Sequence, residues 1–235
     1  MPDQYFIEQY RHKATLEDPV AQTGRGQKFD ALSFLHMVHE TLGLLELQPQ
    51  HNLLNVGCAN GLIDILLSAC CKRLLAIDPI EEMVTLARQN LRGYENVQVA
   101  LGHAASIPAE ARLFDRVLML EVIQLINEDE LSNVFEELHR VTHPSGKLLI
   151  GAVPDVRFRD AHLNPYLEGV RNAQHLSQAQ KDDIIQRNER SNWFHPDTLI
   201  DTWKTLGRTA KIQPLSDHHP NADFRFYLLV GEAQT

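Results

Sequence analysis

The sequence predicts an α/β fold built on a doubly wound, mainly parallel sheet. Short apolar runs, LLNV, LLAI, VQVAL, DRVLML and KLLIGAV, succeed one another from Asn52 onward, and each gap between them is long enough for a crossover segment. Two of those gaps open with helix-start signals and then carry apolar residues at helical spacing.

Taken in order, the first two dozen residues show no clear period. Residues 30–45 place Leu32, Phe34, Leu35, Val38, Leu42 and Leu45 on a helical stripe, so a helix should pack on the sheet before the first strand. After LLAI, Asp78-Pro79-Ile80-Glu81 reads as an N-cap, a proline at the first helical position and a capping-box acid, followed by a buried face of Ile80, Met83, Val84, Ala87 and Leu91. Asn127-Glu128-Asp129-Glu130 repeats the device ahead of Leu131, Val134, Phe135, Leu138 and Val141. His143-Pro144-Ser145-Gly146 reads as stop and turn, with the next strand at residues 147–152. Residues 154–192 turn polar and suggest an inserted helical lid with one weakly amphipathic helix near residues 173–190. A helix over residues 196–206, ended by Gly207, precedes strand candidates near residues 211–214 and 224–230.

Composition bounds the function. The chain has 235 residues, 43% hydrophobic and 23% charged, which fits one globular domain. Thirty-one acidic against 22 basic residues give a net charge of -9, a surface that repels polyphosphate, so nucleic acid is not an expected partner. Cys58, Cys70 and Cys71 are odd in number and two are adjacent, a poor disulfide arrangement, so reduced thiols in the cytoplasm are expected. The start, MPDQYFIEQYRHK, lacks a signal-peptide core, and no apolar run has the length of a membrane span, so an unanchored protein is expected.

In a doubly wound sheet the turn after the first strand needs small residues where backbone approaches a ligand, and Gly57, Ala59 and Gly61 supply them. A tight strand-to-helix connection selects the same residues without a ligand. Asp78, at the end of the second strand, can accept from both hydroxyls of a ribose, and equally can cap the following helix. His103 and Glu121 end later strands on the same carboxyl edge, where ligands bind, although strand-end residues of these types are often structural.

LLNVGCANG, AIDPIEEMVTLARQN, GHAASIP and LHRVTHPSGKLLI, in that order, resemble the motifs of the class I S-adenosylmethionine-dependent methyltransferases over residues 53–153, and more loosely to the end. The resemblance implies a Rossmann-like seven-stranded sheet with an antiparallel C-terminal hairpin. It implies that S-adenosylmethionine lies with its methionine part against the backbone of Gly57, Cys58 and Ala59, its ribose at Asp78, and its adenine beside Pro79, Ile80, His103 and Ala104. Gly61 belongs to the same motif. The family carries acids at the positions of Asn55 and His103, and a glycine at that of Ala59. On this reading residues 1–50 form an N-terminal cover and helix, 51–153 the cofactor-binding core, 154–195 the lid and 196–235 the terminal helix and hairpin.

Methyl transfer from a sulfonium is an in-line displacement in which the protein mainly aligns the acceptor and excludes water. The expected reaction is transfer to a small-molecule acceptor at oxygen, with His195 as the single candidate base and His162 and Asp155 nearby in sequence. His195 also precedes Pro196, which suits a helix-entry residue. Arg25, flanked by Gly24 and Gly26, can clamp a carboxylate, and Glu121 completes the candidate cofactor contacts. Tyr5, Tyr10, Phe158, Tyr166 and Trp193 are candidates for an apolar acceptor pocket, or for ordinary core. His218 and His219 lack the spacing of a metal motif, so no metal is expected. Two alternatives remain at this level: a binding protein that keeps the fold without catalysis, motivated by Asn55 and His103, and a nicotinamide dehydrogenase. The dehydrogenase fingerprint wants glycine three residues after Gly61, where this chain has Asp64.

Overall fold

The computed structural model describes residues 4–23 and 30–233. The apolar runs become β1 (Asn52–Val56), β2 (Arg73–Asp78), β3 (Val97–Leu101), β4 (Phe114–Leu120) and β5 (Thr142–Pro154), followed by β6 (Arg208–Pro214) and β7 (Arg225–Ala233). They form a sheet in the order β3-β2-β1-β4-β5-β7-β6. The pairs from β3 to β5 are parallel, and β7 runs antiparallel to both β5 and β6. Strand order reverses between β1 and β4, which opens a crevice outside their carboxyl ends.

Both faces of the central strands are buried, which is why they read as continuous apolar runs. Leu54, Val117 and Leu148 join one core, against Val134, Leu138 and Trp203. Their chain neighbours Leu53, Leu118 and Leu149 point into the other, against Met37, Val38, Ile63 and Leu67. The alternation of strand side chains thus feeds two layers of helices.

The helices are α1 (Gln4–Lys13), α2 (Pro19–Gln22), α3 (Ala31–Leu45), α4 (Leu62–Ser68), α5 (Glu81–Asn90), α6 (Leu131–Val141), α7 (Arg159–Asn172), α8 (Gln178–Arg190) and α9 (Pro196–Thr205). Asp30 caps α3, its carboxylate accepting from Ser33 N at 2.8 Å. The buried face of α3 is Met37, Val38, Thr41 and Leu45, however, and the expected stripe members Leu32 and Leu35 are 60% and 56% exposed. Only the last three turns of α3 lie on the sheet.

Other local expectations are corrected. Asp78 is not the cap of α5, which starts at Glu81 with Ile80 in the cap position and no capping side chain. Its carboxylate instead joins the turn after β1 to the segment ahead of α5, accepting from Ala59 N and Ile80 N. A short 3₁₀ turn over Glu128–Glu130 delays α6 until Leu131, and Asn127 makes no side-chain cap. The residues 143–146 are no open turn: α6 runs straight into β5, where the register jumps from Phe114↔Thr142 to Arg116↔Lys147. Residues 154–195 carry two helices, α7 and α8, where one was expected. In α7 only Leu163, Leu167 and Val170 are buried, and Pro165 sits inside it, so a short apolar line among polar residues concealed the element.

Arg208 explains the bulge. Its side chain belongs to a residue 1% exposed, and its guanidinium donates to the carbonyl oxygens of Thr142, His143, Gly146 and Gly231 at 3.0–3.2 Å, with Nε 3.1 Å from His139 Nδ1. A charged group this deep is tolerated because its donors are satisfied. Arg208→Met leaves those carbonyls without their donor and should lower stability by about 3 kcal/mol. Urea unfolding checks this, and a variant within about 0.5 kcal/mol of the parent would show that the bulge holds itself.

Candidate active site

The crevice at the carboxyl ends of β1, β2 and β4 is a cavity walled by the turn after β1, the residues that follow β2 and β4, and α1, the place where ligands bind in such sheets. Its floor is the turn after β1. Gly57 has φ 80° and Ala59 φ 49°, so the chain here is left-handed. Gly57 N and Cys58 N donate to Ile77 O at 2.8 and 3.0 Å, which ties the turn to β2. A Cβ on Gly57 would meet Val122 Cγ2 at 2.3 Å, so only glycine lets this backbone face the cavity.

Asp78 is buried and bridges two segments. One carboxylate oxygen accepts from Ala59 N at 2.9 Å and the other from Ile80 N at 3.0 Å. A carboxylate has room for further acceptor contacts, so Asp78 can take the two hydroxyls of a diol while holding the turn. Burial pushes its carboxyl up to about 6, and the two N–H donors work against that rise. Pro79, Ile80, His103 and Ala104 continue the wall beside Gly102. The His103 imidazole accepts from Ala105 N at 3.2 Å, and burial holds its pKa below the usual histidine range, so it is neutral at pH 7.

Beneath the floor, Asn55 Nδ2 donates to Asp64 Oδ1 at 2.8 Å. Asp64 is fully enclosed on α4, its Oδ2 has no hydrogen-bond partner, and desolvation drives its carboxyl up to about 7. Between its ordinary value of 3.8 and about 7 the folded chain holds a proton that the unfolded chain has released, so this group makes stability fall as pH rises through that window. Asp64→Asn should therefore match the parent at pH 4 and be more stable at pH 8, by an amount on the order of 2 kcal/mol. Thermal melts at the two pH values read this, and a variant less stable than the parent at pH 8 would refute it. Cys58 is buried, and its desolvated thiol is held well above the usual cysteine value, which keeps it protonated and unreactive.

Glu121 closes β4 at the cavity rim with φ 58°, its N–H donating to Gly151 O at 3.0 Å. Ala152, next to that partner, has φ 55°. With Ala59, three of the five left-handed non-glycine residues among those described adjoin this edge, a clustering of strain that marks functional sites. The roof is α1, which presents Phe6, Ile7 and Tyr10 to the cavity. Its other side is fastened to α8: Tyr5 Oη donates to Asp183 Oδ1 at 2.8 Å and Gln9 Nε2 to the same oxygen at 2.6 Å.

The cavity wall thus contains Asn55, Gly57, Cys58, Ala59, Asp78, Pro79, Ile80, His103, Ala104 and Glu121. Gly61 is not part of it. A Cβ there would strike Leu91 Cδ1 at 2.8 Å, so this glycine serves the packing of the turn on α5. His195 is also elsewhere, its Nδ1 accepting from Asp197 N at 3.3 Å as the cap of α9. Arg25 lies outside the described residues. Of the aromatic candidates only Tyr10 reaches the cavity; Phe158 and Tyr166 are exposed, and Trp193 lies beside Phe224, on which His162 stacks at 3.6 Å. Asp155 is taken by Arg157, at 2.6 Å. Among the described residues no group of His, Cys, Asp and Glu is placed to hold a metal ion, and no helix is long and apolar enough to cross a membrane.

Sequence reasoning missed Phe6, Ile7, Leu62, Ile63, Val122, Leu125 and Ile126 as wall residues. The pair Val122 and Leu125 follows the strand-end glutamate directly, and that position was the available signal.

A family model described as a methyltransferase domain matches residues 54–150, the stretch that carries β1 to β5 and the cavity floor. That stretch is similar to the class I S-adenosylmethionine-dependent methyltransferases. The chain is 34% identical over 82 residues to a protein-L-isoaspartate O-methyltransferase of Rhodopseudomonas palustris, covering 34% of this chain and 38% of that protein. It is 30% identical over 158 residues to the protein of the same name from Methanopyrus kandleri, covering 64% of each. The match spans about two fifths of the length of the first of these curated relatives. Among solved structures, magnesium protoporphyrin IX methyltransferase from Synechocystis superposes with TM-score 0.67 at 14% identity, over 98% of this chain and 95% of that one. At that identity the likeness concerns the fold, and it extends beyond the methyltransferase core to α1, α7 and α8.

Proposed function

We propose that the protein transfers a methyl group from S-adenosylmethionine to a small-molecule acceptor, at oxygen, by in-line displacement. The observation that carries this reading is Asp78, a buried carboxylate that anchors the glycine turn at Ala59 N and keeps acceptor capacity toward the cavity at the strand-order reversal. The residues present fit the cofactor: Gly57 leaves its backbone bare toward the cavity, and Asp78 suits a ribose diol.

Bound there, S-adenosylmethionine supplies an electrophilic sulfonium methyl. The backbone of Gly57, Cys58 and Ala59 holds the methionine end, with the amide of Asn55 beside it. Pro79, Ile80, neutral His103 and Ala104 enclose the adenine. Glu121, Tyr10 and Leu125 complete the wall under α1, where an acceptor would lie. These walls align the acceptor and exclude water, which is most of what an in-line displacement asks of the protein. We assign no proton transfer to His195.

On this reading the whole chain acts as one domain, with residues 1–50 and 154–195 covering the core of 51–153 and 196–235 completing the sheet. An acidic chain with an odd cysteine and an adjacent cysteine pair suits a cytoplasmic enzyme without nucleic-acid partners. The similarity of residues 54–150 to a methyltransferase domain favours this reading over the nicotinamide alternative. Incubation with methyl-labelled S-adenosylmethionine and a cell extract split into protein and small-molecule fractions tests the rest. Label entering small molecules supports the reading. Label entering protein alone would overturn the choice of acceptor, and binding without transfer in any fraction would favour the non-catalytic alternative.

A further inference from the structure

Resting on that reading, we infer that the acceptor carries an oxyanion, a carboxylate or a phosphate, received by Lys13 and Arg225, which stand beside the cavity-wall residues Tyr10 and Glu121. Lys13 ends α1 with its ammonium 4.2 Å above the Tyr10 ring. It is half-buried there, close enough to Glu121, Asp183 and Arg187 to feel the charge of each. Arg225 starts β7, with Nη1 donating to Ala152 O at 3.0 Å and standing 3.6 Å from Glu121 Oε1. It also lies within electrostatic reach of Tyr10. Both cations therefore face Glu121 and Tyr10, two residues of the cavity wall.

Charge does not balance among these described groups. Lys13, Arg187 and Arg225 carry three positive charges against the two of Glu121 and Asp183, and Asp183 already accepts from Tyr5 and Gln9. Arg225 Nε is buried with no hydrogen-bond partner. Buried cations need counterions and buried donors need acceptors. Burial and the neighbouring Arg187 lower the Lys13 ammonium to about 8, more than the two carboxylates raise it. Helix-end attraction accounts for a lysine closing α1 and an arginine in the last turn of α8, but not for bringing the two within electrostatic reach of each other. In a chain of net charge -9 this local excess is a focus for an anion. The left-handed backbone at Glu121 and Ala152, which flank Arg225, adds strain at the same spot.

Calorimetry on the full chain tests this, first with S-adenosylhomocysteine and then with benzoate, phenyl phosphate and benzylamine as probes at constant ionic strength, each with and without S-adenosylhomocysteine. We expect an oxyanion probe to bind and benzylamine not to, with the preferred probe distinguishing a carboxylate from a phosphate handle. Lys13→Met should weaken that binding about tenfold, and Arg225→Gln likewise. Exposed Lys204→Met, paired only with Asp201 on α9, should leave it unchanged. Binding of benzylamine in preference, absence of binding by both oxyanions, or binding indifferent to Lys13→Met would overturn the inference. Lys13→Met decides the matter should Arg225→Gln fail to fold. Loss of S-adenosylhomocysteine binding alone would refute the methyltransferase reading, while the titrations without cofactor would still decide the anion site.

Discussion

Gly57→Val should abolish S-adenosylhomocysteine binding, with an affinity loss of at least about a thousandfold and a lower thermal midpoint. Two independent costs meet at this residue. A valine cannot adopt φ 80° without strain, since a β-branched side chain is the least suited to the left-handed region. Its Cβ would also have to displace Val122, whose Cγ2 would stand 2.3 Å away. The turn must then move off Ile77 O, to which Gly57 N and Cys58 N now donate, and the backbone presented to the methionine end moves with it. Gly93, whose φ is 96° with open space around its Cβ position, is the control. Substitution there should carry strain alone and leave binding intact. Titration calorimetry on both variants reads the difference, and Gly57→Val binding as the parent does would remove the turn from the site.

The second large effect belongs to Asp78. Asp78→Ala removes the acceptor proposed for two ribose hydroxyls and, with it, the contacts to Ala59 N and Ile80 N. At about 1.5–3 kcal/mol for each charge-assisted hydrogen bond, the two ribose contacts together predict a loss of roughly a hundredfold to a thousandfold or more in affinity. Asp78→Asn keeps one acceptor oxygen and should recover part of it. A pH signature accompanies the parent protein. Its carboxyl, raised by burial to about 6, loses acceptor strength when protonated, so affinity should fall as pH drops through about 6 and level off above it. Asp64, raised to about 7, protonates in a neighbouring range, so Asp64→Asn isolates the share due to Asp78. Affinity independent of pH from 5 to 8 would argue against a ribose contact at this carboxylate.

Some of this molecule was legible in its amino-acid order and some was not, for identifiable reasons. The strands showed because each is buried on two faces and must be apolar throughout, as Leu53 and Leu54 are. Gly57 and Asp78 showed because a close turn and a strand-end acid are local requirements. Local signals also misled. Asp78-Pro79 has the composition of a helix cap, yet the carboxylate serves the turn at Ala59, a contact 19 residues away in the chain. Gly61 shares the spacing of a binding loop but is needed by Leu91 and Ala87. A cover formed by residues 1–50 and 154–195 was expected, but the helix α1 was not, because it buries only Phe6, and α8 read only weakly because it has no buried residue at all. Their junction depends on Tyr5, Gln9 and Asp183, polar groups more than 170 positions apart. The same holds for Glu121 with Arg225 and for Arg208 with its four carbonyls, pairings that no local pattern announces.

Titration of the full chain with S-adenosylhomocysteine, in parallel with NAD, tests the central claim most directly. Saturable one-to-one binding of S-adenosylhomocysteine that is lost in Gly57→Val, with no binding of NAD, is the predicted result. Saturable NAD binding with no response to S-adenosylhomocysteine would contradict the account.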